Sequence, residues 1–254
     1  MSTPLWVVEL AERFWAATGV KAAGGSPSPP PFPRDLRGAM AFALPLGLDD
    51  PPRLCIDTVN AWLARRDLPC RLGGRNRPLR ACLMAYGGAG LVLLDGADPP
   101  AEQRFSLAHE VAHFLVDYWQ PRERAVARLG PTVLKVLDGQ RPPTAAERVD
   151  ALLAQVPLGV HVHLMDRTPD GHPAGLAEDA AERRADLLAL ELLAPRDAVE
   201  AALGALGGPR RHAEIAALLV EQFGLPPAIA AAYAATFAPA APGRSFLRQL
   251  GLAP

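Results

Sequence analysis

The chain has 254 residues, of which 50% are hydrophobic and 21% charged, so it should fold as one large or two small globular domains. Its 26 basic and 27 acidic residues leave a net charge of −1, which gives no overall attraction to nucleic acid or anionic lipid. No apolar run approaches the ~18 residues of a membrane span, and the N-terminus lacks the basic segment of a signal peptide. Three cysteines without a C-x-x-C pattern argue against a disulfide framework, so we expect a cytoplasmic protein.

The first predicted element is an amphipathic helix over residues 5–17, and a proline-rich loop follows over residues 22–33. A second amphipathic helix is predicted over residues 53–66. Two apolar runs, 79–85 and 91–94, are separated by Tyr-Gly-Gly-Ala-Gly and predict a β-hairpin.

The next predicted helix has clear boundary signals. Asp98 can cap it, Pro99 suits its first turn, and Pro121 is expected to follow its end. The body of this helix is residues 104–119, RFSLAHEVAHFLVDYW.

The second half of the chain is predicted to be mainly helical. Thr144 and Glu147 match a capping box, which opens a helix to about Gln155. Residues 160–165, VHVHLM, alternate in polarity and predict a strand. The other predicted helices cover residues 122–138 with a break at Pro131, 176–194, 211–223 and 227–237.

The chemistry of the chain is carried by His109-Glu110-Val111-Ala112-His113, an H-E-x-x-H motif. Residues i and i+4 lie on one helical face, so the two imidazoles can hold one zinc ion at ~2.0–2.1 Å. The glutamate between them lies beside the metal and can accept a proton from an activated water as general base. The alternative is a structural helix whose two core histidines are satisfied by backbone carbonyls.

A catalytic zinc needs a third protein ligand and an open position. The metzincin continuation is absent, because Val116 and Trp119 stand where its glycine and third histidine belong. Glu182 and Asp186 lie one turn apart on a later helix, which suits Glu182 as third ligand and Asp186 as the carboxylate that orients a ligand histidine. Glu178, one turn upstream, is the second candidate ligand, and a solvated helix face is the alternative to both.

The segments RFSLAHEVAHFL and ERRADLLALELLAP resemble the ImmA/IrrE-type metallopeptidases, whose pattern is a hydrophobic H-E-x-x-H helix, then E-x-x-A-N and Leu-Leu-x-Pro. The resemblance covers residues 79–119 and 178–196. It implies a small thermolysin-like zincin domain that acts as a zinc-dependent endopeptidase on a protein. The substrate it implies is a helix-turn-helix transcriptional repressor, in stress response or mobile-element regulation.

The resemblance also implies the roles of the site residues, with Glu110 as general base. Manganese is the other candidate metal. The sequence departs from the family pattern at Asp186, where relatives usually carry asparagine, and in the long segment over residues 114–181. We expect this insert to govern the choice of substrate and not the chemistry. The implied metal ligands are His109, His113 and Glu182.

Three weaker features carry two interpretations each. His161 and His163 share one face of a predicted strand; exposed polar positions are the favoured interpretation, and oxyanion stabilisation or a changed metal ligand set is the alternative. Residues 91–94 form either an edge strand that aligns a peptide substrate or a buried strand. Tyr118 is expected in the core rather than as a transition-state donor.

Together these elements predict an α+β protein with a zincin core over residues 71–200 and a helical insert at about 120–177. A helical region over residues 1–70 precedes the core, and a helical end over residues 201–254 follows it. The last two helices have helix-turn-helix spacing, but PAIAAAYAATF offers no side chain for bases or phosphates, so no nucleic acid or membrane partner is expected. The alternative function is a non-proteolytic regulator that binds a repressor partner through a zincin scaffold with structural zinc.

Overall fold

The computed structural model describes residues 3–19, 30–68, 70–148, 159–167, 176–206 and 211–237. Within these residues the protein has an α+β fold, as predicted, in which helices surround one four-stranded sheet. No helix in the described part of the chain combines the length and hydrophobicity that crossing a membrane requires. The strands are β1 (Leu46–Asp49), β2 (Leu79–Tyr86), β3 (Ala89–Leu94) and β4 (His161–Asp166).

Most of the predicted helices are present, with ends within a few residues of the expected ones. The sequence patterns missed two helices, Leu36–Ala43 and Arg196–Leu206, and the four-residue strand Leu46–Asp49. The helices are α1 (Leu5–Ala17), α2 (Leu36–Ala43), α3 (Ile56–Ala64), α4 (Pro100–His113), α5 (Gln120–Leu129), α6 (Leu134–Leu137), α7 (Leu176–Leu193), α8 (Arg196–Leu206), α9 (His212–Glu221) and α10 (Pro227–Ala234).

The sheet has the order β1-β3-β2-β4. Strand β3 runs parallel to β1 and antiparallel to β2, and β2 runs antiparallel to β4, so the predicted β2–β3 hairpin is confirmed. The sequence leaves two interpretations open for residues 91–94. Because β3 lies inside the sheet, the edge-strand interpretation is wrong and the buried-strand interpretation is right. Among the described strands, β4 forms the edge beyond β2.

Both faces of the sheet are covered, and the pairing of β2 with β4 decides which side chains lie on which face. Leu83 belongs to the larger core under α4, whereas Cys82 belongs to a smaller core under α3. Directly paired residues point to the same face, and Leu83 pairs with His163 while Cys82 pairs with Leu164. His163 therefore faces α4 with a side chain that is only 14% exposed, so the favoured interpretation of an exposed polar position is wrong.

The helix with the H-E-x-x-H motif does not end before Pro121, contrary to the prediction. After α4 the chain forms π-helical turns over Phe114–Trp119 and then continues directly into α5, with no loop between them. Proline lacks the N–H that an α-helix interior requires, and the widened turns precede it. Gly130, with φ of 79°, then ends α5.

Helix α4 packs against the sheet on one side and against α7 on the other. Every residue from Phe105 to His113 is buried. Burial of apolar residues, among them Ala108 and Ala112 of α4 and Leu188 of α7, brings the two helices together. The H-E-x-x-H motif on α4 therefore faces the segment of α7 that carries Glu182 and Asp186.

The C-terminal helices serve packing, as their composition predicts. Ala230, Tyr233 and Ala234 of α10 are buried, and the Tyr233 hydroxyl donates to the Ala194 carbonyl oxygen at 3.3 Å.

The predicted capping box is confirmed too, because the N–H of Thr144 donates to the Glu147 carboxylate at 2.8 Å and the N–H of Glu147 donates to the Thr144 hydroxyl at 3.3 Å. The predicted continuation of that helix to Gln155 lies outside the described residues.

Asp95 joins β3 to the loop before α3 and to the end of β4. Its buried carboxylate accepts hydrogen bonds from the N–H groups of Arg53, Leu54 and Ala97 and from the Arg167 guanidinium. Burial alone would raise the pKa of Asp95, but the donors, led by the Ala97 N–H and Arg167, bring it below its ordinary value. The carboxylate therefore stabilises the fold above the ordinary aspartate pKa, and this stabilisation is lost as the pH falls through the lowered value.

We expect Asp95→Asn to lower the free energy of unfolding by about 1–3 kcal/mol at neutral pH, because the amide presents one acceptor oxygen instead of two. Urea denaturation measures this loss, and the difference from wild type should shrink in acid. Asp50→Asn is the matched control, since its carboxylate is partly exposed and bonds an exposed arginine, Arg37. An equal loss in both variants would contradict the role of Asp95.

Candidate metal centre

Four side chains from three elements meet between α4, β4 and α7. His109, His113, His163 and Glu182 each offer one ligand atom, and these atoms lie within 4.8 Å of one another. The two histidine side chains of α4 are only 3% and 2% exposed, whereas the Glu182 side chain is 38% exposed. The cluster thus has a buried floor and one accessible side, and it can hold a metal ion.

The Nε2 atoms of all three histidines face the Glu182 carboxylate. The distances to a Glu182 oxygen are 3.2 Å from His109, 3.4 Å from His113 and 3.0 Å from His163. The Nε2 atoms of His109 and His113 are 3.1 Å apart. Since two imidazole nitrogens and a carboxylate oxygen are the donors that zinc prefers, the residues fit the ion that the motif implies.

Carboxylates hold the other ring nitrogen of both motif histidines. The Nδ1–H of His109 donates to Asp186 at 3.0 Å, and the Nδ1–H of His113 donates to Asp117 at 2.7 Å. This contact fixes each ring in the tautomer whose Nε2 lone pair is free for a metal. Asp186 lies where the sequence analysis placed it, and its partner is His109.

Asp117 was not recognised from the sequence, although its position four residues after His113 is a signal that could have identified it. Arg184 on α7 donates to the second oxygen of Asp117 at 3.2 Å. Burial raises the pKa of Asp117, but His113 and Arg184 outweigh burial and bring it below the ordinary value. Asp117 therefore stays ionised and links α7 to the end of α4.

Glu110 is fully buried between the sheet and α7. Its Oε2 accepts a hydrogen bond from the Nδ1–H of His163 at 2.9 Å. Its Oε1 is buried and has no hydrogen-bond partner among the described residues. One oxygen of the predicted general base is thus held in place by a strand residue, and the other remains an unpartnered acceptor beside the ligand cluster.

The carboxylates dominate the electrostatics of the centre. Burial opposes protonation of His109, but hydrogen bonds to Asp186 and Glu182 prevail and raise its pKa to about 9. Burial likewise opposes protonation of His163, but Glu110 and Glu182 raise its pKa to about 10. Burial favours the neutral form of Glu182, yet the three histidines hold its pKa well below the ordinary range. A site that attracts two protons in this way is suited to a divalent cation, which would replace them.

The strand pattern predicts only a minor alternative role for His163, because strand polarity alone does not reveal which face is covered. Its side chain is 14% exposed, and its ring stacks on that of His113 with centroids 3.7 Å apart. Since His163 lies in the segment between the motif and Glu182, the insert contributes a side chain to the centre itself. That the insert governs substrate choice stays a prediction.

His161 and Tyr118 are not among the four residues whose ligand atoms are grouped. The side chain of Glu178 is outside the described residues. His161 lies on the same face of β4 as His163, and burial lowers its pKa. The ring centroids of His161 and Tyr118 are 6.2 Å apart in a stacked arrangement. Tyr118 is buried and accepts a hydrogen bond from the Gly88 N–H at 2.8 Å, which fits the expected core position.

We expect Asp117→Asn to weaken metal binding by about 10–100-fold, the usual effect of losing the partner of a ligand histidine. Competition with a chromophoric chelator measures this affinity. Arg184→Ala is the matched control, because it removes a neighbour of Asp117 and leaves the bond from His113 intact. Unchanged affinity in Asp117→Asn would show that His113 does not depend on this carboxylate.

Comparison of the chain with models of known protein families and with curated proteins finds no significant match.

Proposed function

We propose that the protein is a metal-dependent peptidase, with zinc as the metal, held by His109, His113 and Glu182. The observation that supports this most strongly is the convergence of the three ligand atoms beside a buried glutamate with an unpartnered oxygen. A zinc ion bound there would supply Lewis-acid activation of water and of a substrate carbonyl near neutral pH.

Glu110 is the general base in this proposal. It follows His109 on α4, so it is rotated about 100° from that ligand and borders the ligand cluster instead of joining it. The unpartnered Oε1 accepts the proton of the attacking water and delivers it to the amine that leaves when the peptide bond breaks. In the resting protein His163 holds the other oxygen, which turns the carboxylate towards the cluster.

Strand β4 is the element best placed to align a substrate. It forms an edge of the sheet among the described strands, and it carries His163 into the centre. An extended peptide that pairs with this edge gains backbone hydrogen bonds, which suits recognition of a protein segment without a fixed sequence. We therefore place the substrate along β4 rather than along β3.

The resemblance to ImmA/IrrE-type peptidases extends the proposal to a helix-turn-helix repressor as the substrate class. Supporting features are the H-E-x-x-H motif and the E-R-R-A-D segment of the second helix as they stand in this sequence, together with the hydrogen bond between His109 and Asp186. The absence of basic side chains on the exposed part of α10 is consistent with action on a protein and not on DNA.

A second candidate function is the non-proteolytic regulator with a structural metal. The observation that favours it is His163, which brings a fourth donor to the cluster. Structural zinc sites have four protein ligands, whereas catalytic sites keep one position open. The two candidates differ in whether any peptide bond is cut.

Proteolysis of unfolded and folded protein mixtures tests the proposal. Zinc-loaded protein should generate new peptide N-termini, which mass spectrometry identifies, and removal of the metal with a chelator should abolish them. Restoring zinc should restore the same cleavages. If zinc-loaded protein produces no new N-termini while it captures a repressor, the regulator function is the correct one.

A further inference from the structure

The three histidines of the centre are held in the same way. Each gives its Nδ1–H to a carboxylate: His109 to Asp186, His113 to Asp117, and His163 to Glu110. Each also turns its Nε2 towards Glu182. For the first two histidines this is the arrangement of a metal ligand with its supporting carboxylate. His163 has the same arrangement, and the supporting carboxylate is the general base.

The position of His163 is fixed by the fold and not by the side chain alone. Strand β4 pairs with β2 along most of its length, with Leu83 directly opposite His163. The end of the strand is held by ion pairs of Asp166 with Arg77 and of Arg167 with Asp95. The imidazole is therefore presented to the cluster by an anchored strand.

We propose that His163 is a fourth protein ligand, so that the resting metal centre is a closed site of three histidines and one glutamate. This inference rests on the proposed metal site and adds a resting state to it. A tetrahedral zinc with four protein ligands leaves no position for water. His163 also donates its Nδ1–H to Oε2 of Glu110. In the closed state this one residue therefore fills the fourth metal position and holds one oxygen of the general base.

Opening such a site is one ligand exchange. A bound ion would exchange the Nε2 of His163 for water, and withdrawal of the ring would also break the Nδ1–H bond to Glu110. Both oxygens of Glu110 are then free to accept protons. The centre is thus closed at rest, and a peptide substrate that pairs with β4 would displace His163 from the metal position before it is cut.

The wild-type protein itself provides the first test. Protein with isotopically labelled imidazole nitrogens is loaded with an NMR-active cadmium isotope, which takes the place of zinc. We expect cadmium–nitrogen coupling to the Nε2 atoms of His109, His113 and His163. Coupling to His109 and His113 alone would overturn the inference and leave the peptidase proposal standing, whereas coupling to none of them would overturn both.

Variants provide the second test, with cobalt as a visible probe. The absorption spectrum of the wild-type cobalt protein should not respond to azide, because no coordination position is open. His163→Asn keeps a donor for Glu110 but removes the ligand, so its spectrum should respond to azide. Its metal affinity should fall by more than the ~10–100-fold expected for loss of a supporting carboxylate.

His161→Ala is the matched control, since it removes an imidazole from the same face of the same strand without touching Glu110 or Glu182. It should behave as wild type towards azide and the chelator. An azide response of equal size in wild type and His163→Asn would overturn the inference. So would an equal response in His161→Ala and His163→Asn, because the effect would then come from the strand.

Discussion

Glu110→Gln is expected to bind a normal amount of metal, to fold normally and to lose cleavage by about 10²–10⁴-fold, the usual contribution of a general base. Glutamine keeps the shape of the side chain and an oxygen that can accept from His163, but it cannot carry the proton from water to the leaving amine. Because the substrate should still bind, the variant is also expected to trap its protein partner. Initial cleavage rates and metal content measured on the same preparations test this expectation.

Glu102→Gln is the matched control for this experiment. Glu102 lies in the first turn of the same helix, where its carboxylate pairs with Arg80 at 2.9 Å, away from the ligand cluster. Its cleavage rate should equal that of wild type. Wild-type rates in metal-loaded Glu110→Gln would refute the peptidase mechanism and favour the non-proteolytic regulator.

Glu182→Ala is expected to have the largest effect on the metal itself. The carboxylate contacts all three Nε2 atoms, so its removal takes away a ligand and the negative charge that draws a cation into the cluster. We expect the metal content of desalted protein to fall from about one ion per chain to a small fraction of that, beyond the ~10–100-fold loss of affinity for a supporting residue. Elemental analysis after dialysis measures the change.

Glu178→Ala separates this assignment from the other carboxylate on the same helix. It removes a glutamate one turn upstream and should retain the wild-type metal content. The opposite result, with metal lost from Glu178→Ala and kept by Glu182→Ala, would make Glu178 the ligand. Circular dichroism of both variants confirms that α7 still folds.

Much of the centre could be predicted because its signals are local. A helix repeats every 3.6 residues, so H-E-x-x-H places two imidazoles on one face whatever the rest of the chain does. The same periodicity pairs Glu182 with Asp186 on α7. The hairpin glycines and the capping box of Thr144 and Glu147 are also local, and both were recognised.

Two features of the fold differ from what the sequence patterns predict. The end of α4 was misplaced because Pro121 normally stops a helix, whereas here π-helical turns precede it and α5 continues. Strand β3 was a possible edge until β1, a strand of four residues with little pattern of its own, paired with it. Neither outcome is encoded in the spacing of neighbouring residues.

The sequence by itself determined that this protein carries a pair of helical imidazoles with a glutamate between them, and it placed the matching carboxylates on a second helix. Only the tertiary structure decided that His163 joins them. A strand alternates between two faces, and a shift of one residue against β2 would have turned Leu164 to the centre and His163 away from it. The register of β4, fixed by pairing across the sheet and by burial on both faces, is a property of the folded chain and not of the six residues that form the strand.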